Sequence, residues 1–504
     1  MEMLNREYLK KNQLPQGVEC GPLEVFPEKI LQFGEGNFLR AFVDWMINRL
    51  NREGHFNGSV VAVQPISQGL APMINEQDGC YTVLLRGLEN GEVKEIKEVV
   101  TAISRCLNSY TEWEAVKACA AGVEMEYVIS NTTEAGIVFD PSDRLENTPP
   151  ETYPGKLTAL LYHRWQTFNG AADKGWVMIP CELIEANGKA LRECVLKMAV
   201  HWNLPEEFQT WLKEHNTFCS TLVDRVVTGY PKDEIEEIWQ SLGYKDNLVD
   251  TGELFHLWVI EGPAELAKRL PFDKVGLDVV WTDDQTPYRT RKVRILNGAH
   301  TSCIPISYLY GLETVLDMMN DEKMGKYVEE IVYEEIIPSM DYPADMMRSF
   351  AKDVLDRFRN PYIKHYLLSI LLNSTSKFKS RVLPSLLQYQ EKQGKLPEKI
   401  CLSLASLLWV YREGQVEGNI LHGKRDKGAF DMQDDAFALE ILHGAWEQWG
   451  DDTLSFAKEA LGAERIWGQD LNQIAGLTER IAEELKVIAE GKLAERIGKV
   501  TGGQ

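Results

Sequence analysis

Residues 29–40 of the chain read KILQFGEGNFLR, and this stretch decides the fold of the N-terminal half. The apolar run at 29–33 predicts a β-strand. The segment 37–50 carries apolar side chains at 38, 39, 42, 43, 46, 47 and 50, which is the spacing of a buried helical stripe. The two glycines between these segments predict a tight strand-to-helix turn. Strand, turn and helix in this order are typical of a dinucleotide-binding βα unit.

The glycine turn, residues 34–37, is the first candidate cofactor site. Gly34 permits the turn, and Gly36 lets the backbone approach a pyrophosphate that rests on the amide groups of the helix start. Leu39 stands where the full fingerprint has its third glycine, so a turn that uses glycine only for its conformation is the alternative interpretation. The residues predicted to bind the cofactor here are Phe33, Gly34, Glu35, Gly36, Asn37, Phe38 and Arg40.

The end of the second predicted strand bears on the choice of cofactor. This β-branched run, 59–63, ends in Gln64 and Pro65, where NAD enzymes usually place an Asp or Glu for the adenosine ribose. Gln64 is therefore predicted to hydrogen-bond the ribose hydroxyls through its amide. No Arg follows to hold a 2′-phosphate, and this indicates NAD (NADH) rather than NADP.

A third predicted strand, 127–129, is followed by polar residues at the sheet edge where ligands bind in such folds. A helix N-cap is the alternative interpretation of this segment. The residues predicted to line the cleft are Asn131 and Thr132, on the cofactor side, and Glu134, on the substrate side.

The pattern along the whole chain predicts two domains. Strands alternate with amphipathic helices through 1–285, with a fourth strand at 176–179, and this predicts an α/β, Rossmann-type doubly wound domain with a parallel sheet. Residues 286–504 predict a mainly α-helical domain that carries substrate and catalytic groups. Its predicted helices are 293–309, 324–335, 361–372, 399–411, 434–449 and 477–488.

Charge and composition exclude several classes of protein. Lys and Arg number 54 against 76 Asp and Glu, and the net charge of −22 argues against a nucleic-acid partner. No apolar run approaches the ~18 residues of a membrane span. Nine cysteines without a CxxC pair, and no signal-like start, predict reduced thiols in a cytoplasmic protein. No feature indicates an oligomeric state.

The stretch RKVRILNGAH at 291–300 predicts catalytic groups on one helix face. With Lys292 at zero on an α-helix, His300 falls at about 80° and Asn297 at about 140°. Such a trio suits reduction of a ketone: Lys292 exchanges a proton with the carbonyl oxygen, Asn297 stabilises the alkoxide, and His300 orients the substrate. A solvated lysine, an Asn-Gly turn and a core histidine form the alternative. No histidine spacing suits zinc, so no metal is predicted.

These residues resemble the mannitol dehydrogenase family, the polyol-specific long-chain dehydrogenases. The resemblance implies an NAD-binding Rossmann domain, a helical C-terminal domain, no metal, and Lys292 as general acid/base with Asn297 and His300 beside it. It also implies that Asp224 and Lys377 contact the substrate. The matching segments are GEGNFLR at 34–40, VDRV at 223–226, Lys292-x4-Asn297-x2-His300, and NPYI at 360–363 continuing to Lys377.

Departures from the polyol pattern indicate a sugar-acid substrate. The chain reads Cys181-Glu182-Leu183 where polyol members tend to have Cys-Asp-Asn, and Arg289 stands near a position that often holds glutamate. Arginine binds carboxylates in bidentate fashion, so at least one basic side chain, among Arg289, Arg291 and Arg294 or near Lys377, is predicted to bind the carboxylate of a hexuronate, with Arg289 as a predicted substrate contact. A solvated helix face is the alternative for each of these arginines. With these departures, the segments 30–41, 130–136 and 289–297 resemble the hexuronate-reducing members of the family, and this resemblance implies interconversion of D-tagaturonate and D-altronate. Fructuronate reduction, polyol oxidation and a non-catalytic nucleotide-binding protein are the other hypotheses.

Overall fold

The computed structural model of the chain describes residues 1–133, 135–425 and 427–502. The chain divides into two compact units. Unit 1 comprises Met1–Gly87 and Val93–Thr286, and unit 2 comprises Leu88–Glu92 and the chain from Pro287 onward. Within the described ranges, no helix has the length and apolar character that a membrane crossing requires.

A six-stranded sheet forms the centre of unit 1. Every pair of neighbouring strands is parallel, and numbered along the chain their order is 3-2-1-4-5-6, which is the Rossmann order. The predicted doubly wound α/β fold is thereby confirmed. In spatial order, the strands are Ile103–Asn108, Ser59–Gln64, Glu28–Phe33, Tyr127–Ser130, Val177–Pro180 and Thr217–Phe218.

Both faces of this sheet are covered by apolar clusters. Successive side chains of a strand point to opposite faces, so neighbouring residues belong to different clusters. Ile30 belongs to one apolar cluster with Phe42 and Val60, whereas the next residue, Leu31, belongs to the other cluster with Val61. The helical segments of unit 1 are Arg6–Lys11, Asn37–Leu39, Arg40–Asp44, Trp45–Arg52, Ala71–Glu76, Trp113–Ala120, Tyr153–Thr167, Ala172–Lys174, Asn187–His201, Glu206–Glu214, Ile235–Leu242, Leu266–Arg269 and Phe272–Val275.

Two further sheets in unit 1 were not predicted from the sequence. Several of their strands have only three residues, and such strands are specified by their neighbours rather than by their own pattern. One sheet consists of Val18–Cys20, Glu92–Val100, Tyr81–Glu89, Asp250–Gly252 and Val227–Gly229. The other consists of Ser220–Asp224, Leu257–Glu261 and Val279–Thr282.

Unit 2 is mainly helical, as predicted. Its helical segments are Thr286–Arg291, Lys292–Asn297, Gly298–Tyr310, Val315–Asn320, Glu322–Glu330, Ile331–Ile336, Ile337–Ser339, Ala344–Phe358, Leu367–Leu371, Ser374–Arg381, Leu383–Gln393, Glu398–Val410, Ala436–Trp449, Thr453–Leu461, Glu464–Trp467, Leu471–Gln473, Leu477–Ala489 and Leu493–Val500. A three-stranded antiparallel sheet, which the sequence did not predict, comprises Gly414–Glu417, Ile420–Arg425 and Gly428–Gln433.

The helix predicted at 361–372 is wrong over its first half. Only Leu367–Leu371 is helical. Pro361 disfavours the α conformation of Asn360, and the Asn360 side chain accepts a hydrogen bond from the Tyr362 backbone amide at 3.0 Å. This local turn competes successfully with a helix.

Three segments of the longer helices are π-helical: Arg40–Asp44, Lys292–Asn297 and Ile331–Ile336. Segments of this kind are rare and frequently occur at functional sites. The first follows the glycine turn directly, and the second contains the predicted catalytic lysine and asparagine. Each unit therefore carries an irregular helical turn at its predicted site.

Candidate active site

The two positions Gly34 and Gly36 of the glycine turn differ in whether the backbone there needs a glycine. Gly34 has a φ of +118°, and a Cβ there would stand 3.0 Å from the carbonyl oxygen of Asn131. Gly36 has an ordinary φ of −72°. A Cβ on Gly36 would meet no atom within 4 Å. Gly34 thus serves the fold, whereas Gly36 leaves open space above the start of the helix.

The helix that begins at Asn37 has an N-terminus suited to an anion. Gly36 is its N-cap and supplies no side-chain hydrogen bond to the first turn. The first amide groups of a helix lack intrahelical partners and carry the positive end of the helix dipole. Open space and uncapped amides together fit the pyrophosphate of a dinucleotide.

Arg40, predicted to bind the cofactor, points into unit 1 instead. Its side chain is only 1% exposed. The guanidinium donates to the Leu248 carbonyl and to Asn37 Oδ1, each at 2.7 Å, and lies 3.4 Å from Asp250. These bonds hold the glycine turn in place, and a direct contact of Arg40 with the cofactor stays a prediction.

The aromatic residues that flank the glycine turn also pack inward. Phe33 is fully buried, with its ring 5.0 Å from that of Tyr153. Phe38 stacks on Phe42, with ring centroids 4.9 Å apart. The Phe33 ring is thus buried, whereas its carbonyl accepts from the Asn131 amide as part of the turn, and Phe33 as a cofactor contact stays a prediction.

Glu35 lies beside Gln64, at the end of the second strand of the Rossmann sheet. A Cβ on Gly69 would stand 2.2 Å from Glu35 Oε1 and 2.7 Å from Gln64 Oε1. Gln64 accepts from the Ala71 amide and donates to the Ile66 carbonyl, so its amide is engaged with the following loop. Burial raises the pKa of Glu35. An acidic side chain from the glycine turn therefore lies beside the end of the second strand.

Asn131 and Thr132 follow the fourth strand of the sheet order; Asn131 donates to the Cys181 carbonyl at 3.5 Å, and Thr132 is held by Glu182. The Thr132 amide and hydroxyl donate to Glu182 Oε1 at 3.0 and 2.9 Å, and Ser130 donates to Oε2 at 3.1 Å. Glu182 is only 2% exposed, and burial raises its pKa. Glu134, predicted to contact substrate, lies outside the described residues.

A cavity of about 340 Å³ adjoins the helix that follows the glycine turn. The cavity is lined both by apolar side chains from the segment after the second strand and by polar side chains. Its lining residues are Asn37, Arg40, Leu70, Met73, Tyr230, Asn247 and Leu248. The cavity lies on the side of the turn where the second strand ends, which fits part of a dinucleotide.

The Val-Asp-Arg segment is anchored by its arginine. Arg225 donates to the carbonyls of Ala41 at 2.7 Å and Phe255 at 3.0 Å, and its guanidinium lies 4.2 Å from the Trp45 ring. Burial lowers the pKa of Arg225 to about 9. Asp224, the predicted substrate contact, ends the Ser220–Asp224 strand and is 6% exposed.

In unit 2, Lys292 and Asn297 begin and end the π-helical segment. The i→i+5 bonding of a π-helix places residue 297 about one turn after residue 292. The two side chains therefore lie closer to one line along the helix than the 140° that α-helical geometry predicts. Both are partly exposed. The local structure thus favours a shared role for Lys292 and Asn297.

His300 lies one turn farther along the same helix, among aromatic and cationic groups. Its ring stacks on Phe358 at 4.1 Å and meets His365 edge-on at 5.5 Å. Burial, followed by the charges of His365, Arg357, Arg381 and Lys377, lowers its pKa well below the ordinary value. Its Nε2 atom is buried and has no hydrogen-bond partner in the described part of the chain. A neutral imidazole with an unused nitrogen suits substrate orientation.

Arginines near Lys292 occupy different environments. Arg294 is 5% exposed and donates to the hydroxyls of Ser385 and Ser339 at 2.7 and 2.8 Å, so it serves the core of unit 2. Arg291 lies 4.3 Å from the Phe350 ring. Arg289, the predicted substrate contact, is partly exposed in the Thr286–Arg291 helix.

Two domain models match the chain in succession: the Mannitol dehydrogenase Rossmann domain over residues 28–274, and the Mannitol dehydrogenase C-terminal domain over residues 284–489. The chain belongs to the mannitol dehydrogenase family. The family resemblance inferred from the sequence motifs is confirmed, and each domain model falls on one of the two units.

Within the family, curated relatives align along almost the whole chain. Altronate oxidoreductase from Bacillus subtilis (strain 168) is 48% identical over 465 residues, which cover 92% of this chain and 93% of that protein. Altronate oxidoreductase from Yersinia enterocolitica is 47% identical over 473 residues, covering 93% and 96%. The protein of the same name from Escherichia coli O6:K15:H31 is 47% identical over 480 residues, covering 94% and 97%.

Two solved structures share the fold. A substrate-free D-sorbitol dehydrogenase has a TM-score of 0.81 at 22% identity, covering 98% of this chain and 100% of that chain. Pseudomonas fluorescens mannitol 2-dehydrogenase, in a ternary complex with NAD and D-mannitol, has a TM-score of 0.69 at 21% identity and full coverage of both chains. At these identities, the likeness concerns the fold.

Sequence reasoning did not select two residues that lie beside the candidate site residues. Glu182 appeared only as a departure from the polyol pattern, yet it holds Thr132 in place. Arg381 gave no signal in the sequence, although its charge acts on His300. Among the described residues, no group of three or more His, Cys, Asp or Glu side chains is arranged to hold a metal ion.

Proposed function

We propose that this mannitol dehydrogenase family member reversibly reduces D-tagaturonate to D-altronate with NADH, in the cytoplasm. The observation that carries the proposal is the alignment with altronate oxidoreductases at 47–48% identity over more than nine-tenths of the chain. The alignment spans both units, so it includes the candidate cofactor residues and the Lys292 segment. A small sugar acid is the partner that this proposal requires.

Unit 1 is proposed to bind the dinucleotide at the glycine turn. The open space above Gly36 and the uncapped helix N-terminus support this assignment. Asn131, and Thr132 held by Glu182, are proposed to border the same ligand from the neighbouring strand. When bound, NADH supplies the hydride for the reduction.

Unit 2 is proposed to handle the substrate oxygen and its proton. Lys292 donates a proton to the carbonyl oxygen during reduction and accepts it from the hydroxyl during oxidation. Asn297, about one π-helical turn away, donates a hydrogen bond to the oxygen as negative charge develops on it. His300 remains neutral and directs its buried Nε2 atom at a substrate hydroxyl. Asp224, Arg289 and Lys377 stay predictions as substrate contacts.

The experiment that tests this function compares substrates on the purified protein. Tagaturonate, fructuronate and fructose are each assayed with NADH and with NADPH, and altronate and mannitol are compared in the oxidation direction. We expect tagaturonate with NADH to give the highest kcat/KM. Higher efficiency with fructuronate or fructose would replace the proposed substrate, and no turnover of any of them would favour a non-catalytic nucleotide-binding protein.

We predict that Glu35→Gln weakens the preference for NADH over NADPH. Glu35 lies where the adenosine ribose is expected, and a carboxylate repels a 2′-phosphate. Removal of this charge should raise kcat/KM with NADPH about tenfold and change kcat/KM with NADH by less than about threefold. Steady-state kinetics with both cofactors measure the ratio. Glu53→Gln is the matched control, because it removes an exposed carboxylate that directly follows the helix Trp45–Arg52. It should leave the ratio of kcat/KM with NADPH to kcat/KM with NADH unchanged.

A further inference from the structure

The cations around His300 form a distinct feature of unit 2. The neighbours whose charges lower the pKa of His300 most are all basic, namely His365, Arg357, Arg381 and Lys377. The chain as a whole carries a net charge of −22, so a local group of basic side chains runs against its composition. We call His365, Lys377 and Arg381 the basic cluster.

Arg381 has most of its hydrogen-bonding capacity unused. It ends the Ser374–Arg381 helix and is half-buried, and it donates to the Thr301 hydroxyl at 3.5 Å. In the described part of the chain, no carboxylate forms an ion pair with Arg381. A guanidinium has five N–H donors in a planar fork, so Arg381 retains donors for a bidentate acceptor.

Lys377 lies one turn before Arg381 on the same helix, and its positive charge is likewise available to an anionic acceptor. Its Nζ atom donates to the backbone carbonyls of Ile370, at 2.9 Å, and Leu372. These bonds hold the ammonium in place but do not neutralise it. The nearby carboxylate of Asp434 is bonded to Thr375 at 2.8 Å and to Tyr411. The positive charge of Lys377 therefore has no direct counter-ion among the described residues.

The basic cluster lies next to the proposed substrate groups. Thr301, which contacts Arg381, directly follows His300 in the chain, and the His365 ring lies 5.5 Å from that of His300. When His300 orients one hydroxyl of a substrate, another part of the substrate's carbon chain therefore lies within reach of these cations. Half-burial makes an unpaired cation costly, and an anionic ligand would offset that cost.

We propose that Arg381, assisted by Lys377, binds the carboxylate of the substrate and thereby selects sugar acids over neutral polyols. This inference rests on the proposed function, because it assumes that a hexuronate is the substrate. It assigns the carboxylate to the basic cluster rather than to Arg291 or Arg294. Arg294 is committed to Ser385 and Ser339, and Arg291 packs on Phe350.

The test is Arg381→Gln, compared with Lys379→Gln on the exposed side of the same helix. We expect Arg381→Gln to raise KM for tagaturonate and for altronate about 100-fold, because a charge-assisted bidentate contact is lost. We expect kcat to change less than about fivefold, since the proton-transfer groups are intact. Lys379→Gln should match the wild type. Arg381→Lys, which keeps the charge but loses the fork, should raise KM about tenfold.

A neutral analogue separates carboxylate binding from general damage. D-tagatose lacks the carboxylate, so Arg381→Gln should leave its kcat/KM within about twofold of wild type, or raise it. Unchanged KM for tagaturonate in Arg381→Gln would overturn the proposal, and so would an equal loss with tagaturonate and tagatose. Absence of tagaturonate turnover in the wild type would instead reject the proposed function. Retained NADH binding and thermal stability show that the variant is folded.

Discussion

Replacement of Lys292 with Met is expected to lower kcat for tagaturonate reduction about a thousandfold. A positioned general acid contributes 10²–10⁴-fold to such rates, and no other proton donor is proposed at the substrate oxygen. NADH binding should be unchanged, because the proposed dinucleotide groups lie in unit 1. Fluorescence titration with NADH and steady-state kinetics measure the two effects separately. Lys323→Met, at an exposed position in unit 2, is the control and should behave as wild type.

The pH dependence supplies a second readout for Lys292. In altronate oxidation, the lysine must be neutral to accept a proton, so kcat/KM should rise as pH increases through the lysine pKa. In tagaturonate reduction, the lysine must be protonated, so kcat/KM should fall over the same range. Lys292→Met should lose both limbs.

Titration of His300 should add no further pH dependence to kcat/KM around neutral pH. Burial and the neighbouring cations hold its pKa well below the ordinary value, so the imidazole stays uncharged there. A variant at Lys292 that retains kcat within tenfold of wild type, or keeps the pH limb, would contradict the mechanism.

Gly36→Val is expected to abolish NADH binding without destabilising the protein. The φ of −72° and ψ of 173° are accessible to valine, and a Cβ meets no atom within 4 Å. The added side chain instead fills the space proposed for the pyrophosphate. We expect the Kd for NADH to rise at least about 100-fold, which corresponds to about 2.7 kcal/mol. The melting temperature should stay within a few degrees of wild type.

Gly34→Ala is the matched control, because the same turn should respond in the opposite way. With a φ of +118° and a Cβ 3.0 Å from the Asn131 carbonyl oxygen, alanine is strained there. We expect about 1–3 kcal/mol of lost stability. Wild-type NADH affinity in Gly36→Val would show that Gly36 is only a turn residue.

The sequence by itself determined the local elements and their order. The strand at Glu28–Phe33, the helix from Asn37 and the helical C-terminal half were all predicted, and the structure contains them. These features depend on spacing within about one or two turns, which a sequence displays directly. The glycine turn and the Lys292 segment were identifiable because their residue types are adjacent in the chain.

Only the tertiary structure decided which polar side chains of the candidate site are bonded inside the protein and which lie near one another. Arg40 bonds to Leu248, 208 residues away, and so turns inward. Glu35 reaches the end of the second strand, and Arg381 reaches Thr301, 80 residues away. The three-residue strands of the second sheet likewise form only because their neighbours pair with them. Such contacts join residues distant in sequence, and local periodicity carries no information about them.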